Sequence, residues 1–224
     1  MADGINPQAL PQRIHLVGIG GIGLSAIARV LALRGHSVSG SDRQRSAVTE
    51  DLEGLGVRVY VGHEASQIAD ADLVVVSSAV PEDNVEMVAA RAAGIPVVHR
   101  REMLGRLLAG YRGIAVAGTH GKTTTTSMIT QILSEAGLSP SYVVGGMMRA
   151  VGTNAAAGTG THFVIEADEY DRAFLGLKPW VAVVTNVEMD HPDLYRDLDE
   201  LSEAFGCFLD GVDPNGTIVA CTDC

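Results

Sequence analysis

Ile114-Ala115-Val116-Ala117-Gly118-Thr119-His120-Gly121-Lys122-Thr123 is an apolar run that halts at a glycine turn and gives way to a polar, threonine-rich segment. The run reads as a buried strand, and Thr123 to Ala136 reads as a helix stopped by Gly137. A strand that feeds a helix through glycines presents backbone N–H groups to an anion at the helix N-terminus. A cation is unfavourable at that end of a helix unless an anion sits there. Lys122 therefore reads as a point charge for the β- and γ-phosphates of a nucleoside triphosphate, with the Thr123 hydroxyl beside it as a Mg²⁺ ligand. The loop departs from the usual G-x-x-x-x-G-K-[ST], because only two residues separate Gly118 from Gly121. A solvated lysine at a helix start is the alternative.

Upstream, the same grammar occurs once more. Arg13 to Ile19 reads as a strand, Gly18-Ile19-Gly20-Gly21-Ile22-Gly23 as a G-x-G-x-x-G turn, and Leu24 to Leu33 as an apolar helix closed by Gly35. Asp42 lies 19 residues past Gly23, near the end of the next strand, where a carboxylate accepts from a ribose hydroxyl. Taken alone, this motif fits an NAD-dependent dehydrogenase, another dinucleotide binder, or a tight turn that binds nothing. Short strands are expected at Val38–Gly40, Val57–Val61, Leu73–Ser77 and Pro96–Val98. Helices are expected at Val48–Leu55, Asn84–Ala93 and Glu102–Leu108, with a linker at Ala109–Gly113.

After the second glycine turn, strands are expected at Tyr142–Val144, Phe163–Ile165, Val181–Thr185 and Gly216–Cys221, with a helix at Leu198–Leu209. Strands alternating with helices imply parallel sheets covered on both faces. The expected fold class is α/β: a Rossmann-like parallel-sheet domain over residues 1–109, then a partial P-loop-type α/β ATPase domain over 110–224. The last strand has nothing after it to cover it, which reads as a truncated chain and an aggregation liability.

Two more clusters follow strands. Glu166-Ala167-Asp168-Glu169-Tyr170-Asp171 gathers four carboxylates that repel one another unless a cation or a loop relieves them. Glu166, nearest the strand, is the best Mg²⁺ ligand of the four, since Mg²⁺ prefers oxygen. Thr185-Asn186-Val187-Glu188-Met189-Asp190-His191-Pro192-Asp193 brings Asp190 and His191 to an equivalent strand end. The plain alternatives are a solvated acidic loop and a local Asp-His turn.

Composition narrows the classes. The 224 residues include 27 acidic and 16 basic side chains, a formal net charge of −11 that repels a phosphate polymer and argues against nucleic-acid binding. Aromatics are only 4%, so Ala, Val, Leu and Ile build the core. Three cysteines (Cys207, Cys221, Cys224) make no disulfide framework, and the lone Cys221/Cys224 pair reads as strand-end residues. Met1 to Gln12 lacks the pattern of a signal peptide, and no apolar run approaches membrane-spanning length, so a cytoplasmic location is expected.

Taken together, these residues resemble the Mur ligase family, which builds the peptide of bacterial cell-wall precursors. The resemblance rests on His15-Leu16-Val17 with Gly18–Gly23, Ser39-Gly40-Ser41-Asp42, Ser77-Ser78-Ala79-Val80 and His99-Arg100-Arg101-Glu102-Met103-Leu104. It continues through Gly118–Thr125, Gly152-Thr153-Asn154-Ala155, Glu166–Glu169 and Thr185–His191. It implies that Gly18, Gly20, Gly21, Gly23, Asp42, Ser77, Ser78, His99, Arg100, Thr153 and Asn154 bind a UDP-sugar rather than NAD. It also implies that Gly118, Thr119, His120, Gly121, Lys122, Thr123 and Thr124 bind ATP. Thr123, Glu166 and His191 would stand around two Mg²⁺ ions, and Lys122, Glu166 and His191 would be the catalytic set.

The implied reaction joins L-alanine to UDP-N-acetylmuramate through an acyl phosphate. Family members run to roughly twice this length and carry a third, amino-acid-binding domain not found in these residues, so the 224 residues alone are expected to be inactive. Tyr170 departs from the serine common in alanine-adding members and matches a relative that recycles wall tripeptide onto the same sugar nucleotide. The Gly-Ile-Gly-Gly-Ile-Gly turn keeps the alanine-adding member ahead. Oligomeric state is not legible here, and a homodimer is compatible with the sequence.

Overall fold

A computed structural model describes residues 10–148 and 151–221. Most of the leader, including Pro7, and Cys224 with its pairing to Cys221 lie outside the described residues. The chain forms two compact units. One comprises the described residues up to Met103 together with Ala155–Ala157; the other comprises Leu104–Asn154 and the residues from Gly158 onward.

The first unit follows β1 (Arg13–Val17), α1 (Ile22–Leu33), β2 (Ser37–Asp42), α2 (Ala47–Gly54), β3 (Arg58–Val61), a 3-10 turn (Ala65–Ile68), β4 (Leu73–Val76), α3 (Val85–Ala92) and β5 (Val97–His99). Its five strands are all parallel, in the order β3-β2-β1-β4-β5. β4 is a continuous Leu-Val-Val-Val run because it is buried on both faces, as a central parallel strand must be. Val17, Val74, Val76, Met87 and Ala90 form one core cluster between sheet and α3, while Leu24, Ile27, Val30 and Leu31 of α1 are fully buried. Each such aliphatic side chain contributes about 1.5–3 kcal/mol on burial. The strand order reverses direction at β1, and ligands of open α/β sheets bind in the crevice such a switch opens.

α4 (Arg100–Leu108) leads to β6 (Arg112–Ala117), α5 (Lys122–Glu135), β7 (Ser141–Met148), β8 (Thr153–Ala156), β9 (His162–Glu166), a 3-10 stretch (Tyr170–Gly176), β10 (Val181–Val184), α6 (Leu198–Asp210) and β11 (Thr217–Ala220). Six strands run in the order β11-β10-β6-β9-β7-β8, and the ladders joining the first five are parallel. β6 lies between β10 and β9, so the loops leaving all three strands meet at one end of the sheet.

α5 packs on β6, β7 and β9. α6 fastens the 3-10 stretch through Phe174, which stacks on Phe208 and meets Phe205 edge-on, both with centroids 5.2 Å apart. β11 is exposed throughout, with Ile218 and Val219 about half accessible.

The α/β expectation holds, and the differences have local causes. Helical geometry begins two residues before Leu24, because the first turn of α1 incorporates Ile22 and Gly23. The segment expected as a linker at Ala109–Gly113 already contains the start of β6. Its Arg112 N–H bonds Thr161 O in the neighbouring connection, which draws it into the sheet. β8 and both 3-10 stretches carry no periodicity and were not expected. Among the described residues, no helix is long and apolar enough to cross a membrane.

Candidate functional site

Five of the helix starts separate into two kinds. α2 opens with a Ser46/Thr49 capping box, α3 with Asn84 accepting from Glu86 N, and α6 with Asp197 accepting from Glu200 N. α1 and α5, the two helices that follow glycine turns, have no side-chain cap and no acidic residue in the first turn. Their free N–H groups keep the positive end of the helix dipole available for an anion.

At the α5 start, Gly118 adopts φ +127°, and a Cβ there would collide with the Thr185 hydroxyl and crowd Asn186. Only glycine allows that approach, which lets the loop after β10 clasp the turn. Asn186 Oδ1 accepts from His120 N at 2.9 Å and Thr119 N bonds Asn186 O at 3.1 Å. Thr185 Oγ1 donates to His120 O at 2.6 Å, and Thr119 Oγ1 bridges Glu188 O and N at 3.0 Å each. Thr123 and Thr124 stand exposed on the first turn of α5 and line a cavity of about 380 Å³ with Met128 and Met147.

Lys122 is not solvated. Its side chain is 14% exposed, and Nζ donates to Gly118 O at 2.7 Å, Thr119 O at 3.2 Å, and Glu169 Oε1 and Oε2 at 2.8 and 2.9 Å. Glu169 is fully buried. A buried carboxylate needs a paired charge, so the lysine is held at the mouth of the glycine turn rather than swinging in water. Tyr195 donates from its hydroxyl to Glu169 O at 2.7 Å. Burial pushes the Tyr195 phenol up, against the lowering charge of Arg172.

Glu166 accepts from Thr123 Oγ1 at 2.9 and 3.0 Å and from Gly145 N at 2.6 Å. His191 lies instead beside Glu169 and Asp190, its Nε2 3.8 Å from an oxygen of each. Among the described residues, Glu169, Asp190 and His191 each bring one ligand atom within 4.8 Å of the others. His191 has φ +52°, a left-handed backbone that turns the chain back after β10, and its ring meets Tyr170 edge-on at 5.1 Å.

The sequence-named residues thus form two adjoining groups, Thr123 with Glu166 and Lys122 with Glu169 and His191. Glu169 is the member that sequence reading undervalued. It lies in the acidic run, but nothing in that run tells which carboxylate turns inward. The side chain of Asp171 lies outside what is described.

In the first unit, a cavity of about 340 Å³ is lined by Gly18, Gly21, Asp42, Arg43, His63 and Ser77 with their neighbours. Asp42 spends Oδ2 on Gly20 N at 2.8 Å, and a Cβ at Gly20 would strike that carboxylate. Arg100 lies against Gly23 at the α1 start. Ser78 and His99 are exposed and are not among the lining residues. Thr153 and Asn154 stand half-buried on β8.

Under this cavity, Glu86 is fully buried and meets His15 Nε2 at 2.6 Å, His63 Nδ1 at 2.6 Å and Ser41 Oγ at 2.7 Å. Burial pushes its carboxyl up, but the hydrogen bonds from His15, Ser41 and His63 outweigh that and hold it below the usual carboxylate range. His63 and Glu86 were not picked out from sequence, where a lone histidine and one helical glutamate carry no signal.

Comparison with known proteins agrees with the two glycine turns. Residues 13–112 match the family model described as Mur ligase family, catalytic domain, and residues 116–224 match the Mur ligase middle domain. The chain is 51% identical over 211 residues to the UDP-N-acetylmuramate–L-alanine ligase of Rubrobacter xylanophilus, covering 94% of this chain and 47% of that protein. It is 52% identical over 224 residues to the same-named ligase of Streptomyces coelicolor, covering 100% and 48%. The chain spans about half the length of the curated relatives it matches.

Among solved structures, UDP-N-acetylmuramate:L-alanyl-gamma-D-glutamyl-meso-diaminopimelate ligase from Neisseria meningitides superposes with TM-score 0.88 at 32% identity, covering 95% of this chain and 72% of that one. UDP-N-acetylmuramate-alanine ligase from Thermotoga maritima superposes with TM-score 0.81 at 35% identity, covering 94% and 49%. Two uncapped helix starts behind glycine turns, and matches to both family models across nearly every described residue, place this chain in the Mur ligase family.

Proposed function

We propose that these residues are the UDP-sugar- and ATP-binding part of a ligase that joins L-alanine to UDP-N-acetylmuramate in peptidoglycan precursor synthesis. The observation that carries the reading is Lys122 fixed between Gly118 O, Thr119 O and Glu169 at an uncapped helix start. Curated relatives at 51% and 52% identity carry the name of an alanine-adding ligase, which supports L-alanine as the amine.

The chemistry follows from charge. An anionic lactyl carboxylate must attack an anionic γ-phosphate, forming an acyl phosphate as the bond to ADP breaks; the L-alanine amine then attacks the acyl carbon, loses a proton, and phosphate leaves as the amide forms. The uncapped first-turn N–H groups of α5 receive the polyphosphate, while Asn186 takes the Thr119 and His120 N–H groups and, with Thr185, holds the turn rigid before it arrives. Lys122 places its ammonium on the β- and γ-oxygens by giving up its carbonyl contacts, and Glu169 keeps it aimed.

The donor set suits Mg²⁺, because the Glu166 carboxylate and the Thr123 hydroxyl face each other with oxygens alone. Thr123 and Glu166 would hold one ion, and His191, which stands with Glu169 and Asp190, would hold a second. When bound, Mg²⁺ supplies positive charge that offsets the repulsion between carboxylate and phosphate. Gly18–Gly21, Asp42, Ser77 and Arg100 are proposed to hold the UDP diphosphate and ribose at the α1 start.

Titration of the chain with UDP-N-acetylmuramate and with NADH tests the assignment. Saturable binding of the sugar nucleotide with no NADH response is expected, whereas NADH binding alone would return the first turn to a dehydrogenase. Since the curated relatives run to about twice this length, the 224 residues by themselves are expected to bind both nucleotides without releasing phosphate.

A further inference from the structure

Glu86 is the most heavily used buried charge of the first unit, and nothing in the proposed reaction employs it. It sits in the first turn of α3, with its N–H fastened to Asn84 Oδ1 at 2.9 Å, so its backbone is fixed. A carboxylate accepts and does not donate, so each polar atom touching it must bring a hydrogen. Ser41 gives its only hydrogen to Oε1 and can then only accept from His63 Nδ1, 3.0 Å away. His63 must therefore carry a hydrogen on Nδ1. By the same logic His15 carries one on Nε2, and its Nδ1 pairs with Ser39 Oγ at 2.9 Å. His15 and Glu86 are fully buried, while His63 is 20% exposed and lines the cavity with Asp42 and Arg43.

We propose that Glu86 is a positioning residue that locks His63 in its Nδ1–H tautomer, so that Nε2 meets the ligand of the first cavity as a hydrogen-bond acceptor. The ligand group it takes is an N–H or O–H donor of a uridine nucleotide. This rests on the UDP-sugar reading of that cavity. A neutral histidine free to choose its tautomer presents an acceptor only part of the time, whereas a locked one presents it always. That is pre-organisation, achieved through a side chain with no ligand contact of its own.

The test combines ring-nitrogen NMR of the full 224-residue chain with UDP titrations. In the wild type, His63 is expected as the Nδ1–H tautomer before ligand is added, and an Nε2–H tautomer overturns the proposal. Glu86→Gln, which can donate as well as accept, is expected to mix the tautomers and weaken UDP about tenfold, the scale of one good hydrogen bond. Glu86→Asp is expected to restore part of both. His63→Ala should weaken UDP by a similar factor, and the double variant should add little more, because the two act through one contact.

N3-methyl-UDP and 2′,3′-dideoxy-UDP identify the donor. One of them should bind the wild type less tightly than UDP does, yet match UDP on His63→Ala. If Glu86→Gln fails to fold, the wild-type tautomer and the His63→Ala titration with both analogues still decide. UDP binding with unchanged affinity in both single variants removes this proposal alone. Absence of any UDP response in the wild type removes the UDP-sugar reading and the proposal with it.

Discussion

Lys122 and Glu169 illustrate why a single side chain carries two consequences. Glu169 has no exposure of its own, and truncating its partner strands a charge in the interior. Lys122→Ala is expected to destabilise the protein by about 3–5 kcal/mol, read as a lowered denaturant midpoint, and to remove Mg-ATP affinity while UDP binding persists. Adding Glu169→Gln should recover part of the stability and none of the ATP affinity. Recovery of both would mean the lysine serves the fold alone.

Glu86 makes a second residue-scale prediction, and its sign follows from its lowered carboxyl. A depressed folded pKa contributes stability that is present above the ordinary glutamate range and is lost as pH falls through the folded value. Wild type should therefore lose stability on acidification below about pH 4.3, and Glu86→Gln should flatten that part of the curve. Parallel wild-type and variant curves would contradict it. Lys122 was legible in the sequence because a cation at a helix start is anomalous. Glu169 was not, because choosing among neighbouring carboxylates takes the 3-10 stretch from Tyr170 and the Tyr195 hydroxyl, both set by tertiary packing.

At the scale of elements, glycine turns and caps divide the labour. Gly118→Ala places a methyl against Thr185 in a backbone that L residues avoid, so the loops after β6 and β10 must part. It is expected to cost more than a typical surface change, about 2 kcal/mol or above, and to abolish ATP binding. Asp197→Ala, which removes an ordinary cap on α6, is expected to cost only about 1 kcal/mol and leave ATP binding intact. Equal losses of ATP binding in the two variants would argue that the glycine turn has no special role.

The strand-turn-helix units were readable because apolar runs and glycines mark them directly. β8 escaped because Thr153-Asn154-Ala155-Ala156 has neither alternation nor branched apolar residues, and its pairing with β7 supplies what propensity does not.

For the whole molecule, the strand orders explain the gathering of residues far apart in sequence. β6 between β9 and β10 brings Lys122, Glu166, Glu169 and His191 to one sheet end, and the reversal at β1 opens the cavity beside Gly18. The α/β alternation was legible, whereas the order of strands within each sheet was not, since parallel neighbours are not chosen by local pattern. On the proposed function, the Lys122 turn grips a polyphosphate. Isothermal titration of Mg-ATP into the wild-type chain and into Lys122→Ala tests it directly. Saturable heat of binding is expected in the wild type and none in the variant; no heat in either, or equal heat in both, would show that the turn does not bind polyphosphate through Lys122.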